Sequence, residues 1–245
     1  MEEEFAIVLK DLRKEFGSKV AVNNISFDIK KGKLFSLLGV NGAGKTTTIR
    51  MLMGLSQPTS GEAWVMGHSI LTDLSAVKQV SNFSPQETSV APNLTVRENL
   101  EFFAKIYGAD KEKANALTND MIEKFSLGEV ENSKAKTLSG GWQRKLSIAM
   151  ALISSPEVLF LDEPTLGLDV LARRELWHVI EKLKGNMTIV LTTHYMEEAE
   201  ALSDEIAIMV GGEIKAMGTL DEIKQLTGRE NLEEAFISIA EKSGK

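Results

Sequence analysis

From Phe5 to Leu38 the apolar positions follow a β pattern. The stretches IVL and LRKEF come first, Gly17-Ser18 supplies a turn, Ile25, Phe27 and Ile29 alternate with polar residues, and the run LFSLL closes the segment. GEAWVMG, Gly61 to Gly67, predicts one more short strand. Three later apolar runs, VSNF (Val80 to Phe83), VLFL (Val158 to Leu161) and TIVLTT (Thr188 to Thr193), have the continuity of buried parallel strands, with helical patterns between them. Strands alternating with helices in this way predict a right-handed α/β sheet.

Between Pro92 and Ile153 the pattern is helical only. Thr95 and Glu98 form a capping box ahead of Val96, Leu100, Phe103 and Tyr107, and Gly108 closes that helix. A second helix is expected over Lys111 to Phe125, followed by the polar stretch GEVENSKAK. A third begins near residue 140, with Trp142, Leu146, Ala149 and Ile153 on one face. After the last core strand, Gly211-Gly212 predicts a hairpin turn between EIAIMV and EIKAM. Thr219 and Glu222 then box one helix, and Asn231 caps a final one, LEEAFISIAEK.

The third helix opens on LSGGWQRK, Leu138 to Lys145, where two glycines follow a serine. A helical glycine costs about 1 kcal/mol relative to alanine, so a helix built only for packing gains nothing from them. A helix N-terminus carries unpaired N–H groups and a partial positive charge, and glycine lets an anion approach them closely. The plain alternative is that Ser139 caps the helix and the glycines are loop.

Composition narrows the function. The chain has 245 residues, 43% of them hydrophobic and 26% charged, enough for a substantial core in one large domain or two small ones. It lacks cysteine, which excludes disulfides, thiol catalysis and cysteine-ligated metals. A net charge of −7 argues against an extended nucleic-acid surface, and no nucleic-acid partner is expected. No apolar run approaches the roughly 20 residues that span a bilayer, and the start MEEEF is acidic where a secretory signal is basic. A cytoplasmic protein is therefore expected.

The strongest chemical signal is GVNGAGKTT, Gly39 to Thr47, between the strand LFSLL and the helical pattern TIRMLMGL. In that context the backbone of Asn41, Gly42, Ala43 and Gly44 wraps a triphosphate and Lys45 reaches the β and γ oxygens. The Thr46 hydroxyl ligates Mg²⁺. Thr47 either touches the α phosphate or is a solvated helix residue. VLFLDEP ends a strand in two carboxylates that alternation sends to opposite faces, which implies different tasks. Asp162 is expected in the metal shell, and Glu163 as general base for, or orienter of, an attacking water. His194, at the tip of TTHY, is a candidate donor to the γ phosphate, whereas His68 and His178 read as structural. Gln86, just beyond VSNF, is placed to touch the metal's water and the helical segment.

Phosphate loop, LSGG helix, LDEP strand and terminal histidine, in this order, resemble the nucleotide-binding domain of ATP-binding-cassette (ABC) proteins over essentially the whole chain. Gly39 to Thr46 matches the Walker A motif, Gln86 the Q-loop and Leu138 to Gly141 the LSGG motif. Val158 to Glu163 matches Walker B, Gly167 to Asp169 the D-loop and His194 the switch histidine. The resemblance implies a phosphate-loop NTPase (RecA-like) α/β core with an antiparallel β subdomain and an α-helical insertion. The expected boundaries are about 1–38 and 60–70 for the β subdomain, 39–86 and 148–217 for the core, 87–147 for the insertion, and 218–245 for C-terminal helices.

It further implies that two such domains, identical or closely paralogous, dimerise head to tail. Ser139, Gly140 and Gly141 would then face the ATP of the partner, and Asp169 would lie at the nucleotide. Phe16 falls where the family stacks an aromatic on adenine, although a packed strand residue fits the pattern equally, and Val22 is a candidate for the same base edge. No Asn- or Thr-Lys-x-Asp guanine-reading element appears, which favours ATP over GTP. The sequence departs from the family in Trp142 after LSGG, Leu166 after LDEPT, and Val170 in place of a frequent proline. TTHYMEEAEAL and LEEAFISI look like the subgroup that drives type-2 exporters, although such acidic helices also read as solvated surface. The implied protein is a Mg²⁺-dependent ATPase subunit, peripheral on the inner face of the cell membrane and working with separate permease chains. Two rivals remain at this level: a soluble ABC ATPase of cluster assembly, ribosomes or nucleic acid, and a phosphate-loop kinase for which LSGG has no task.

Overall fold

The computed structural model describes residues 4–243, so the extremes of the expected first and last segments, residues 1–3 and 244–245, lie outside the described residues. Strands β1 (Phe5–Phe16) and β2 (Lys19–Lys30) form an antiparallel pair. The chain then enters β3 (Leu34–Leu38) and helix α1 (Lys45–Leu52), returns to the small sheet as β4 (Ser60–Val65) and β5 (His68–Ser69), and leaves through α2 (Leu74–Val80) and β6 (Ser81–Ser84). The helical stretch supplies α3 (Val96–Ile106), α4 (Lys111–Lys124) and α5 (Gly140–Leu152). The sheet resumes with β7 (Val158–Asp162), α6 (Val170–Glu181), β8 (Thr188–Thr193), α7 (Met196–Leu202), β9 (Glu205–Val210) and β10 (Glu213–Gly218), and α8 (Leu220–Thr227) and α9 (Leu232–Ser243) complete the described residues.

Two sheets result. The small antiparallel sheet has the order β2-β1-β4-β5; the large one runs β10-β9-β3-β8-β7-β6 and is parallel except for the edge strand β10. Every residue of β3, β7 and β8 is buried, as a parallel sheet covered on both faces requires. Alternation then sorts the side chains. Leu34, Leu159, Leu161, Ile189 and Leu191 join the core with the helical stretch. Phe35, Leu37, Val158, Phe160 and Val190 face α1 and the small sheet, where Phe35 stacks on Phe27 at 5.3 Å. This places the carboxyl ends of β3, β8 and β7 side by side, and the loops leaving them build the candidate site.

Two expected boundaries shift. LFSLL belongs to the large sheet, because β3 pairs with β8 and β9 rather than with β2, so the small sheet's first segment ends with β2. Helix α5 also runs unbroken through the expected junction at residue 147. It is buried on every side from Arg144 to Leu152 rather than along one stripe, because β6 and β7 cover one flank and α3, α4 and α6 the others.

Both capping boxes form, at Thr95 with Glu98 and at Thr219 with Glu222, and the Asn231 side chain accepts from the Glu234 amide at 2.8 Å. The loop between Gln86 and α3 is pinned by Asn99, which is fully buried. Its side chain accepts from the Ala91 amide at 2.8 Å and donates to the carbonyls of Ala91 (3.1 Å), Leu94 (3.3 Å) and Thr95 (2.8 Å). Asn99→Ala leaves buried backbone groups unpaired, so it should cost about 2 kcal/mol of stability. The urea unfolding midpoint measures this, and an unchanged midpoint contradicts the pinning role.

Candidate functional site

The phosphate loop is fixed from both ends. At its start the Gly39 amide donates to the Thr193 carbonyl at 3.2 Å, and a Cβ on Gly39 would fall 2.4 Å from the Met209 carbonyl oxygen. At its end Gly44 has φ +112°, and a Cβ there would fall 2.4 Å from the Ala21 carbonyl oxygen. Only glycine meets both conditions. Helix α1 begins at once, without a side-chain cap, and its first return bond is Thr48 amide to Gly44 carbonyl at 2.9 Å. The amides of Lys45, Thr46 and Thr47 therefore have no carbonyl in the preceding turn and point their partial positive charge outward.

Above them lies an open cleft of about 380 Å³. Of the residues singled out in the sequence, Phe16, Asn41, Gly42, Ala43, Gly44, Lys45, Thr46, Thr47, Gln86 and Glu163 line it. Phe16 is 54% exposed with Lys14 Nζ 5.0 Å from its ring centre, so it is available to a ligand rather than packed in the small sheet. Val22 is a correction. It is fully buried in the core between the sheets, because β2 turns that position inward, and Lys19 and Ala21 line the cleft in its place.

The charged groups form two linked pairs. Lys45, only 5% exposed, donates to the carbonyl of Gly39 at 2.7 Å and lies 3.1 Å from Glu163 Oε1. Glu163 Oε2 accepts from His194 Nδ1 at 2.7 Å. His194 does not line the cleft, and its Nδ1 is the hydrogen-bond partner of Glu163. Behind the loop, Asp162 Oδ1 accepts from the Thr46 hydroxyl at 2.9 Å and from the Thr192 hydroxyl at 2.5 Å. The two carboxylates do not diverge as strand alternation suggests. Strand β7 ends at Asp162, and Glu163 has φ +48°, a left-handed turn that brings both acids to the phosphate loop.

The remaining motif residues lie away from the cleft. Asp169 accepts from the amides of Leu171 and Ala172, both at 3.0 Å, so it caps α6 rather than lining the cleft. Ser139 stands at the start of α5 but its side chain makes no capping bond. Gly140 has room for a side chain, the nearest atom to an added Cβ being 3.8 Å away, whereas at Gly141 the Ala172 Cβ would lie at 3.1 Å. The fold therefore gives its own reason for glycine at 141 and none at 140. Trp142 packs on the main core with Lys145 Nζ 4.7 Å from its ring centre.

Two buried residues escaped the sequence reading. Arg144 donates to four backbone carbonyls, those of Pro85, Asp162, Glu163 and Pro164. Glu198 lies on the acidic helix read as solvated surface, yet it is fully buried. It accepts from Thr165 at 2.8 Å and from Trp177 at 3.0 Å. Burial pushes its carboxyl above the usual glutamate range, against the opposing bonds from Thr165 and Trp177.

The donors beside Thr46 suit a hard cation such as Mg²⁺: a hydroxyl and a carboxylate oxygen 2.9 Å apart, with the Gln86 amide in the same cleft. No group of three or more His, Cys, Asp or Glu that could hold a metal occurs among the described residues. Such an ion would complete its shell with waters or phosphate oxygens.

The family model described as ABC transporter matches residues 22–166, more than half of the chain. The chain belongs to the ABC transporter family. Human phospholipid-transporting ATPase ABCA3 is 42% identical over 226 residues, covering 91% of this chain and 13% of that protein. The probable multidrug ABC transporter ATP-binding protein YbhF of Escherichia coli (strain K12) is 38% identical over 242 residues, 96% of this chain and 42% of its own length. This ABC chain thus spans less than half of either relative. Among solved structures, the dimeric post-hydrolysis state of the ATP-binding cassette MJ0796 bound to ADP and Pi superposes with a TM-score of 0.78 at 26% identity. It covers 87% of this chain and 98% of that one. The ABC chain has the phosphate-loop NTPase fold expected from its motifs.

Proposed function

We propose that this chain binds MgATP in the cleft over α1 and hydrolyses it, with two copies closing head to tail, and that closure powers export by separate permease chains. The observation that carries the reading is the cluster at the start of α1, where Lys45, Thr46, Asp162 and Glu163 converge through bonds of 2.9 to 3.1 Å.

The roles follow from that geometry. Phe16 offers its exposed ring face to adenine. The amides of residues 41–47 and the Lys45 ammonium hold the phosphates. Thr46, Asp162 and Gln86 would hold Mg²⁺, which when bound neutralises charge on the phosphate oxygens. Glu163 takes the proton of the attacking water, and His194 holds the other oxygen of its carboxylate in place. The second copy supplies Ser139, Gly140 and Gly141. The uncapped N-terminus of α5 and a glycine that its own fold does not require support this part of the reading.

Export is supported by the names of the relatives, one phospholipid-transporting and one described as multidrug. No helix among the described residues is long and apolar enough to cross a membrane. Ser139→Arg tests the composite site. Binding of MgATP by the single chain should stay within about twofold, while ATP-dependent association is lost, because the bulky cation blocks the approach to the partner's phosphates. Loss of binding by the single chain would instead place Ser139 in its own site.

A further inference from the structure

We propose that Arg144 is a positioning residue that locks the catalytic segment Asp162 to Pro164 and the Gln86 segment to the helix reaching toward the partner's nucleotide. The proposal rests on the hydrolytic, head-to-tail reading above.

Arg144 sits one turn inside α5 and is 3% exposed, yet no carboxylate among the described residues hydrogen-bonds to its guanidinium. Nε donates to the Pro164 carbonyl at 2.7 Å, Nη2 to those of Glu163 at 2.7 Å and Asp162 at 3.2 Å, and Nη1 to that of Pro85. Three acceptors are consecutive residues at the end of β7, where the chain turns out of the sheet. The fourth precedes Gln86.

This explains how Glu163 keeps its conformation. A non-glycine residue in the left-handed region is strained and persists only where its surroundings over-determine it. The Glu163 amide is held by the Thr192 carbonyl and hydroxyl, both at 3.1 Å, and its carbonyl by Arg144. With both peptide groups fixed, the carboxylate is aimed at Lys45 and His194. Burial lowers the guanidinium to about 10, opposed by Asp162, Glu198 and Glu163, so it stays a cation at neutral pH. A planar fork of five donors meets four carbonyls; a lysine ammonium with three donors on a flexible stem does not.

Arg144 also lies four residues from Gly140 on one continuous helix. A displacement of the α5 N-terminus by a partner's nucleotide therefore reaches the backbone of the hydrolytic base through a single side chain.

The test is Arg144→Lys in the full chain, which keeps the charge and removes the fork. The expected result is a kcat about 10- to 100-fold lower, with KM and MgATP affinity within about twofold. In a Glu163→Gln background the lysine variant should still associate with MgATP. Turnover within about twofold of the unaltered chain would overturn the proposal and leave Arg144 a simple counter-charge. Affinity falling in step with kcat would overturn it as well. If the lysine variant fails to fold by circular dichroism, Arg144→Gln is measured in the same way. Failure of both to fold counts against the proposal, which assigns Arg144 to the site and not to the core. Turnover of the unaltered chain and association of Glu163→Gln alone test the underlying reading separately.

Discussion

Glu163→Gln should lower ATP turnover by two to four orders of magnitude while leaving MgATP binding intact, the range expected when a general base is removed. The side chain is 6% exposed and both its oxygens are engaged, Oε1 3.1 Å from Lys45 and Oε2 2.7 Å from His194. An amide of the same shape fills the same space, so the backbone around residue 163 and the phosphate loop need not move. It cannot take a proton from water, and its NH₂ group must face either the Lys45 ammonium or the His194 ring. Steady-state phosphate release measures the loss. Turnover within about tenfold of the unaltered chain would assign the base elsewhere, and unmeasurable MgATP binding would mean that the substitution had disturbed the phosphate loop itself.

Lys45→Ala should weaken MgATP binding by about 1.5–3 kcal/mol, the loss of a charge-assisted hydrogen bond to phosphate, or about 10- to 150-fold in affinity. The change also strips Glu163 of its nearest cation. A buried charge left without its partner destabilises a fold by about 3–5 kcal/mol, so the thermal midpoint without nucleotide should fall as well. The two effects separate in a titration that follows the midpoint against nucleotide concentration. A lower starting midpoint with the full ligand-induced rise would remove Lys45 from phosphate binding and leave it only the ion pair.

The parts of this site legible in the sequence are those in which chemistry and backbone geometry act within a few consecutive residues. Gly39, Gly44, Lys45 and Thr46 lie within eight positions, between a fully buried strand and a helix, and their spacing alone places them. The capping boxes at Thr95 and Thr219 are local for the same reason. What was not legible depends on long-range packing. Val22 and Ala21 are adjacent on β2, and their facing was set by a register that the sequence does not state. Glu163 stands one residue past the end of the strand, where a left-handed turn cancels the alternation that would separate it from Asp162. Nothing local marks Arg144, since its acceptors are carbonyls 18 to 20 positions later and 59 earlier. Glu198 was hidden by Glu197 and Glu200, because a short acidic helix reads as solvent-facing until something is found to cover it.

The claim on which the rest depends is that the uncapped first turn of α5 completes the nucleotide site of another copy. Sedimentation equilibrium of the Glu163→Gln chain, with and without MgATP, tests it most directly. The account predicts one chain's mass without nucleotide and twice that mass with it, the doubling abolished by Ser139→Arg. A Glu163→Gln chain that binds MgATP and keeps the mass of a single copy at every concentration would contradict it.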